Sequence, residues 1–206
     1  MSKKSNLKQK TSMEICSLSL GKYNNFFECL ELGKTKKLED VKSEKNASIP
    51  IKVNDKNVYM AEPDGGLIPN IPNQHKCDFL VYCQDKAQIC FIELKGATIS
   101  TKEKYNPYGQ IIGTIEFLQQ EDSLKCLVEQ NIEKHAFIVS PGRQKIPKGS
   151  ETMERQLWQK LCQRGKVSKI PDLVHYVKVT KSERYSSNNG KIICSPESPV
   201  VIPFSN

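Results

Sequence analysis

Apolar and polar positions segregate most sharply between Lys76 and Gly96, "KCDFLVYCQDKAQICFIELKG". Two nearly continuous apolar runs flank "QDKA" at 84–87, which predicts strands at about 78–83 and 88–95 joined by a tight turn. Upstream, "IPIKVNDKNVYMA" reads as another hairpin, turning at Asn54 and Asp55, and "EPDGGLIPNIPNQH" reads as a surface loop. Downstream, the pattern predicts a helix from Gln110 to Gln119 and a strand over 135–140. A second helix follows in "SETMERQLWQKLCQRG". Ser150 is its cap, Met153, Leu157, Trp158 and Leu161 form its apolar stripe, and Gly165 ends it. "DLVHYVKVT" gives one more strand. Residues 1–12 read as a flexible basic tail, 13–32 as a helix or two, 33–48 as charged and weakly structured, and 195–206 as extended or loose. The resulting order predicts a single α/β domain over 13–206, a mixed central sheet with flanking helices.

Composition narrows the function classes. The chain has 206 residues, 37% of them hydrophobic, enough for a core, and a formal net charge of +8 that favours an anionic partner such as nucleic acid. No apolar segment is long enough to span a bilayer, and the interrupted "MEICSLSL" does not make a secretory signal. None of the eight cysteines forms CxxC, so they are expected to be free thiols in a reducing cytoplasm and not zinc ligands.

The strand tips carry the candidate chemistry. With the turn at 84–87, Cys83 faces Gln88, Val81 faces Cys90 and Phe79 faces Ile92, which brings Asp78 opposite Glu93. Lys95, two residues past Glu93, points to the same side. Opposed carboxylates destabilise a sheet unless something resolves their repulsion. A hard divalent cation held by one or two carboxylates and a substrate phosphate does so, and it can activate water. The backbone carbonyl of Leu94 is a further candidate ligand. The plainer alternative makes Asp78 a strand-start residue and leaves Glu93 and Lys95 facing solvent.

Asp78, a hairpin and "ELK" at 93–95 resemble the PD-(D/E)XK nuclease superfamily, the restriction-endonuclease-like fold. The resemblance implies a core of helix, three-stranded antiparallel meander, helix and strand. It implies Mg²⁺, with Mn²⁺ possible, bound by Asp78 and Glu93, and Lys95 as the catalytic lysine. It also suggests an acid from the first helix, Glu28 with Glu14 as second choice, and a glutamine after the ExK strand, Gln110. Thr114 stands where a tyrosine commonly follows that glutamine. The literal Pro63-Asp64 pair makes Asp64 the second choice for the first metal acid. The implied activity is phosphodiester hydrolysis by a DNA endonuclease, often dimeric, in restriction, phage defence or repair. The alternatives are an RNase or a non-catalytic protein that binds nucleic acid or a partner on the same fold.

Other features are weaker. Lys102, Lys104, Arg143, Lys145 and Lys148 are candidate phosphate-backbone contacts. Tyr105 and Tyr108 could stack on a base or pack the helix entrance. His75 reads as a loop histidine, and His135 and His175 have no ligand-spaced partner. "GKTKK" at 33–37 lacks the upstream glycines of a phosphate-binding loop.

Overall fold

The apolar residues of the strands face two separate cores, and the strands accordingly sort into two sheets. The computed structural model describes residues 20–40, 47–96, 106–140, 151–162, 173–180 and 192–205. The larger sheet is mixed and seven-stranded. Its strands are β1 (Glu28–Leu30), β4 (Val58–Ala61), β5 (Phe79–Cys83), β6 (Gln88–Leu94), β7 (Glu133–Ser140), β8 (Val174–Val179) and β9 (Ile192–Cys194), in that spatial order. Among the first four each strand is antiparallel to its neighbour, and β6 through β9 run parallel. A three-stranded sheet places β3 (Ser48–Val53) between β2 (Thr35–Glu39), antiparallel, and β10 (Val200–Ile202), parallel.

Side chains alternate across each strand, so the large sheet has two apolar faces. Leu80, Tyr82, Ile89, Phe91, Ala136 and Ile138 pack against helices α1 (Pro107–Gln120) and α2 (Glu151–Leu161). Phe79, Val81, Cys90, Ile92, Leu94 and Phe137 pack against the small sheet through Leu38, Ile49, Ile51 and Ile202. Burial on both faces explains why these strands read as continuous apolar runs. Helix α1 starts at Asn106, whose side chain accepts from the Tyr108 amide, with Pro107 at the first helical position.

Several expectations are corrected. Residues 49–61 form no hairpin: β3 and β4 lie in different sheets, and the chain crosses between them at 54–57, with Asn57 at φ 53°. Of the stretch 13–32 read as a helix or two, the described residues 20–32 hold a 3-10 turn, Gly21–Phe26, and then strand β1. Thr35–Glu39, within the stretch read as weakly structured, is β2. Of the two readings of the tail, extended or loose, the extended one holds at Val200–Ile202, which forms β10 with Val200 and Ile202 buried. The N-terminal tail and the Ser150 cap lie outside the described residues. The seven described cysteines are free thiols, and no helix among the described residues is long and apolar enough to cross a membrane.

The parallel register of β7 and β8 brings together two histidines far apart in sequence. His135 Nδ1 and His175 Nε2 lie 3.0 Å apart. The Phe204 ring packs on both, with centroids 5.4 and 4.3 Å away. The Gln88 side chain accepts from the Phe204 amide at 2.6 Å and donates to its carbonyl at 2.8 Å. Glu133 Oε1 lies 3.2 Å from His135 Nε2. Burial, with the His135 ring as a smaller cause, lowers the His175 pKa to about 4. A histidine that titrates near 6.5 when unfolded and lower when folded contributes stability that is present above pH 6.5 and lost toward pH 4. Urea denaturation is expected to give about 2 kcal/mol less stability at pH 4.5 than at pH 7 from this group, a difference that His175→Phe removes.

Candidate active site

The turn at 84–87 sets the register, and the observed pairs are Cys83 with Gln88, Val81 with Cys90 and Phe79 with Ile92. Asp78 immediately precedes β5, and its side chain reaches across to β6, where Oδ2 accepts the Leu94 amide hydrogen at 2.6 Å. Glu93 shares the helix-side face with Phe91 and is 1% exposed. Lys95 follows on that face. Its Nζ lies 2.5 Å from Glu93 Oε1 and also donates to Gln110 Oε1 in the first turn of α1.

Gln110 connects the two ends of the site, since its Nε2 donates 3.2 Å to the Lys76 carbonyl. One turn further along α1, Thr114 Oγ1 accepts from the Cys77 amide at 2.8 Å. Between them Gly113 lies directly against His75: a β-carbon there would sit 2.6 Å from the His75 carbonyl oxygen. Gln74 Nε2 donates to the Gly113 carbonyl at 3.2 Å. One face of α1 thus grips segment 74–77 and sets where Asp78 begins.

Burial dominates the electrostatics. It raises the Asp78 pKa to about 6, opposed by the Leu94 N–H and the Lys95 charge. The Glu93 pKa is raised well above the usual carboxylate range, first by burial and then by the neighbouring Asp78 charge, with Lys95 opposing. Glu93 Oε2 is fully buried and has no hydrogen-bond partner. An ionised oxygen in that state is costly, and a bound cation would relieve it.

The donor set fits a hard divalent cation held by two carboxylates, with phosphate and water completing the shell. It does not fit an all-protein cage, because no group of three or more His, Cys, Asp or Glu among the described residues has metal-binding geometry. What Leu94 is seen to contribute is its N–H, to Asp78. Asp64, the second choice for the first acid, lies on a π-helical turn, Pro63–Leu67. With Glu39, Asp40, Glu62 and Asp78 it lines a small cleft of about 40 Å³. Lys76, only 8% exposed, lies 3.6 Å from Asp64 and bonds to Asn70 Oδ1 at 2.5 Å.

Glu28 is not part of this site. It is on edge strand β1 opposite Met60, paired with Lys36, and not on a helix. Three strand spacings and about three residues of rise separate it from Glu93, roughly 17 Å. Tyr108 is fully buried, and its hydroxyl lies 2.5 Å from that of Tyr176, so it packs the helix entrance and cannot stack on a base. The backbone of His75 packs on α1. Lys102, Lys104, Arg143, Lys145, Lys148, Tyr105 and Glu14 lie outside the described residues. Sequence reasoning missed Thr114 as a contributor, and it missed Lys76; the former was visible as the residue one helical turn after Gln110.

The chain matches no family model, and no curated protein or solved structure matches it at a significant level.

Proposed function

We propose that the protein is a Mg²⁺-dependent nuclease that hydrolyses phosphodiester bonds of nucleic acid, with DNA as the expected substrate and endonucleolytic cleavage as the expected mode. The observation that carries this reading is the convergence of Asp78, Glu93 and Lys95 on one face at one sheet end, with Glu93 Oε2 buried and unpartnered. The strand arrangement supports it as well. The antiparallel β4–β5–β6 meander, then α1, then β7 parallel to β6, follows the later part of the order that the resemblance implies, while a 3-10 turn and strands β1 to β3, and no α-helix among the described residues, precede the meander.

Asp78 and Glu93 would hold the divalent cation, Mg²⁺ or Mn²⁺, which when bound supplies Lewis-acid polarisation of the phosphate and lowers the pKa of a bound water. Asp78 is oriented by the Leu94 amide, whose hydrogen its Oδ2 accepts. Lys95 is held between Glu93 and Gln110 and would set its Nζ where the phosphoryl group gains negative charge. Glu93 is almost wholly removed from water, which strengthens the interactions of its carboxylate.

Substrate affinity would come from basic residues that contact the phosphate backbone. Lys102 and Lys104 follow β6 in sequence, and Arg143, Lys145 and Lys148 follow β7. The C-terminal ends of these two strands lie side by side, tied by Ser140 Oγ donating to the Gly96 carbonyl at 2.7 Å.

The test is direct. Purified protein is incubated with plasmid, linear and single-stranded DNA and with RNA, in Mg²⁺, Mn²⁺ or EDTA, alongside Glu93→Ala and Lys95→Ala. Cleavage that needs the metal and falls by at least about 1,000-fold in both variants is expected, the equivalent of several kcal/mol of transition-state stabilisation. Cleavage of none of these substrates, or equal cleavage by the variants, would falsify the reading, and cleavage of RNA alone would redirect it to an RNase.

A further inference from the structure

We propose that Thr114 is a positioning residue that sets the placement of Asp78 through the Cys77 backbone, an inference that rests on the nuclease reading for its functional meaning. The Thr114 side chain is fully buried and its hydroxyl is committed twice: it donates to the Gln110 carbonyl at 3.0 Å and accepts the Cys77 N–H at 2.8 Å. The first bond fixes the direction of the hydroxyl hydrogen and leaves a lone pair aimed at Cys77. Cys77 is itself fully buried, so its amide has no water to turn to.

The residue after Cys77 is Asp78, whose carboxylate accepts the Leu94 amide hydrogen. Thr114 and Leu94 therefore hold the acid from its two sides, one through the main chain and one through the carboxylate. Gln110 lies on the same face of α1, one turn earlier, and holds Lys95. The hydroxyl of Thr114 ties the turn that carries Gln110 to the strand that carries Asp78, so the acid and the lysine are registered by one helix. A tyrosine at this position could not reproduce that short bond, which gives the departure from the tyrosine-bearing pattern a physical content.

Removing the hydroxyl leaves a buried amide unpaired, and the cheapest relief is a shift of segment 76–78. Thr114→Val keeps the shape and removes the hydroxyl, whereas Thr114→Ser keeps the hydroxyl. Thr114→Ala replaces the valine variant if the added methyl crowds Cys77. A displacement near 1 Å lowers turnover by about 100-fold, so kcat of Thr114→Val is expected to fall by about that much, with KM for nucleic acid changed by less than about twofold. Thr114→Ser is expected to return kcat to within about threefold of the parent.

A second readout needs no catalysis. The Leu94 amide proton reports directly on the Asp78 carboxylate, and in a proton–nitrogen correlation spectrum of the metal-free protein it is expected to lie downfield. It should move upfield in Thr114→Val and stay in place in Thr114→Ser. An unmoved Leu94 amide in Thr114→Val overturns the inference, as does a serine variant that behaves like the valine. If the parent protein cuts nothing, the nuclease reading falls, and the Leu94 amide still decides whether Thr114 holds Asp78.

Discussion

Asp78→Asn is expected to give a protein that is more stable than the parent at neutral pH and inactive as a nuclease. Burial holds the Asp78 pKa near 6, above the 3.8 of a free aspartate. The sign follows from that elevation. Folding takes up a proton between these two values, so the ionised side chain opposes folding at every pH above about 6, by about 3 kcal/mol at 1.36 kcal/mol per pH unit. Asparagine still offers an oxygen to the Leu94 amide and carries no charge. Urea denaturation should show the two proteins equally stable below pH 3.8, with the variant gaining as pH rises and levelling above pH 6. Adding Mg²⁺ should raise the melting temperature of the parent and leave that of the variant unchanged, because ligand that binds only the folded state stabilises it. A variant that is less stable at pH 7 would show that Asp78 is a structural acid.

Gly113→Ala is expected to be among the most disruptive single changes, although it adds only a methyl group. The new carbon would meet the His75 carbonyl oxygen at 2.6 Å and the His75 β-carbon at 2.7 Å. Neither neighbour is the free end of a flexible side chain, so α1 or segment 74–77 must move. Overpacking of this kind costs about 1–3 kcal/mol, and the slight helix preference of alanine over glycine, about 1 kcal/mol, offsets part of it. The movement also displaces Gln110 and Asp78 relative to each other. Urea denaturation should therefore show a net loss of about 1 kcal/mol, and cleavage should fall more steeply than stability accounts for. A fully stable and active Gly113→Ala would mean that the helix is not clamped to this segment.

The sequence carried the tip of the hairpin legibly for a physical reason. A four-residue polar break between two apolar runs leaves one register that buries both runs, and the side-chain period of two then assigns Asp78, Glu93 and Lys95 to one face. Helix α1 was legible because its apolar spacing is local. The errors share the opposite character. "IPIKV" and "NVYMA" are each buried on both faces, so nothing in their pattern says whether they pair with each other or with distant strands. The resemblance implies that Glu28 in "NNFFECLEL" sits on a first helix, yet the helical part stops at Phe26 and the acid falls on an edge strand. The pairing of His135 with His175 depends on two strands meeting across forty residues, which no local pattern encodes.

The same non-local character governs how the small sheet comes into being. Its central strand β3 ends at Val53, and the partner on one side is β10, beginning at Val200. No short loop can bring these together, and closing so long a loop is entropically unfavourable before the contacts that reward it exist. During synthesis β2 and β3 can pair locally, but the β10 side of β3 and the core contacts of Ile202 must wait until residue 202 has been made. Until then β3 keeps an unpaired edge, and an edge of that kind favours aggregation or chaperone capture.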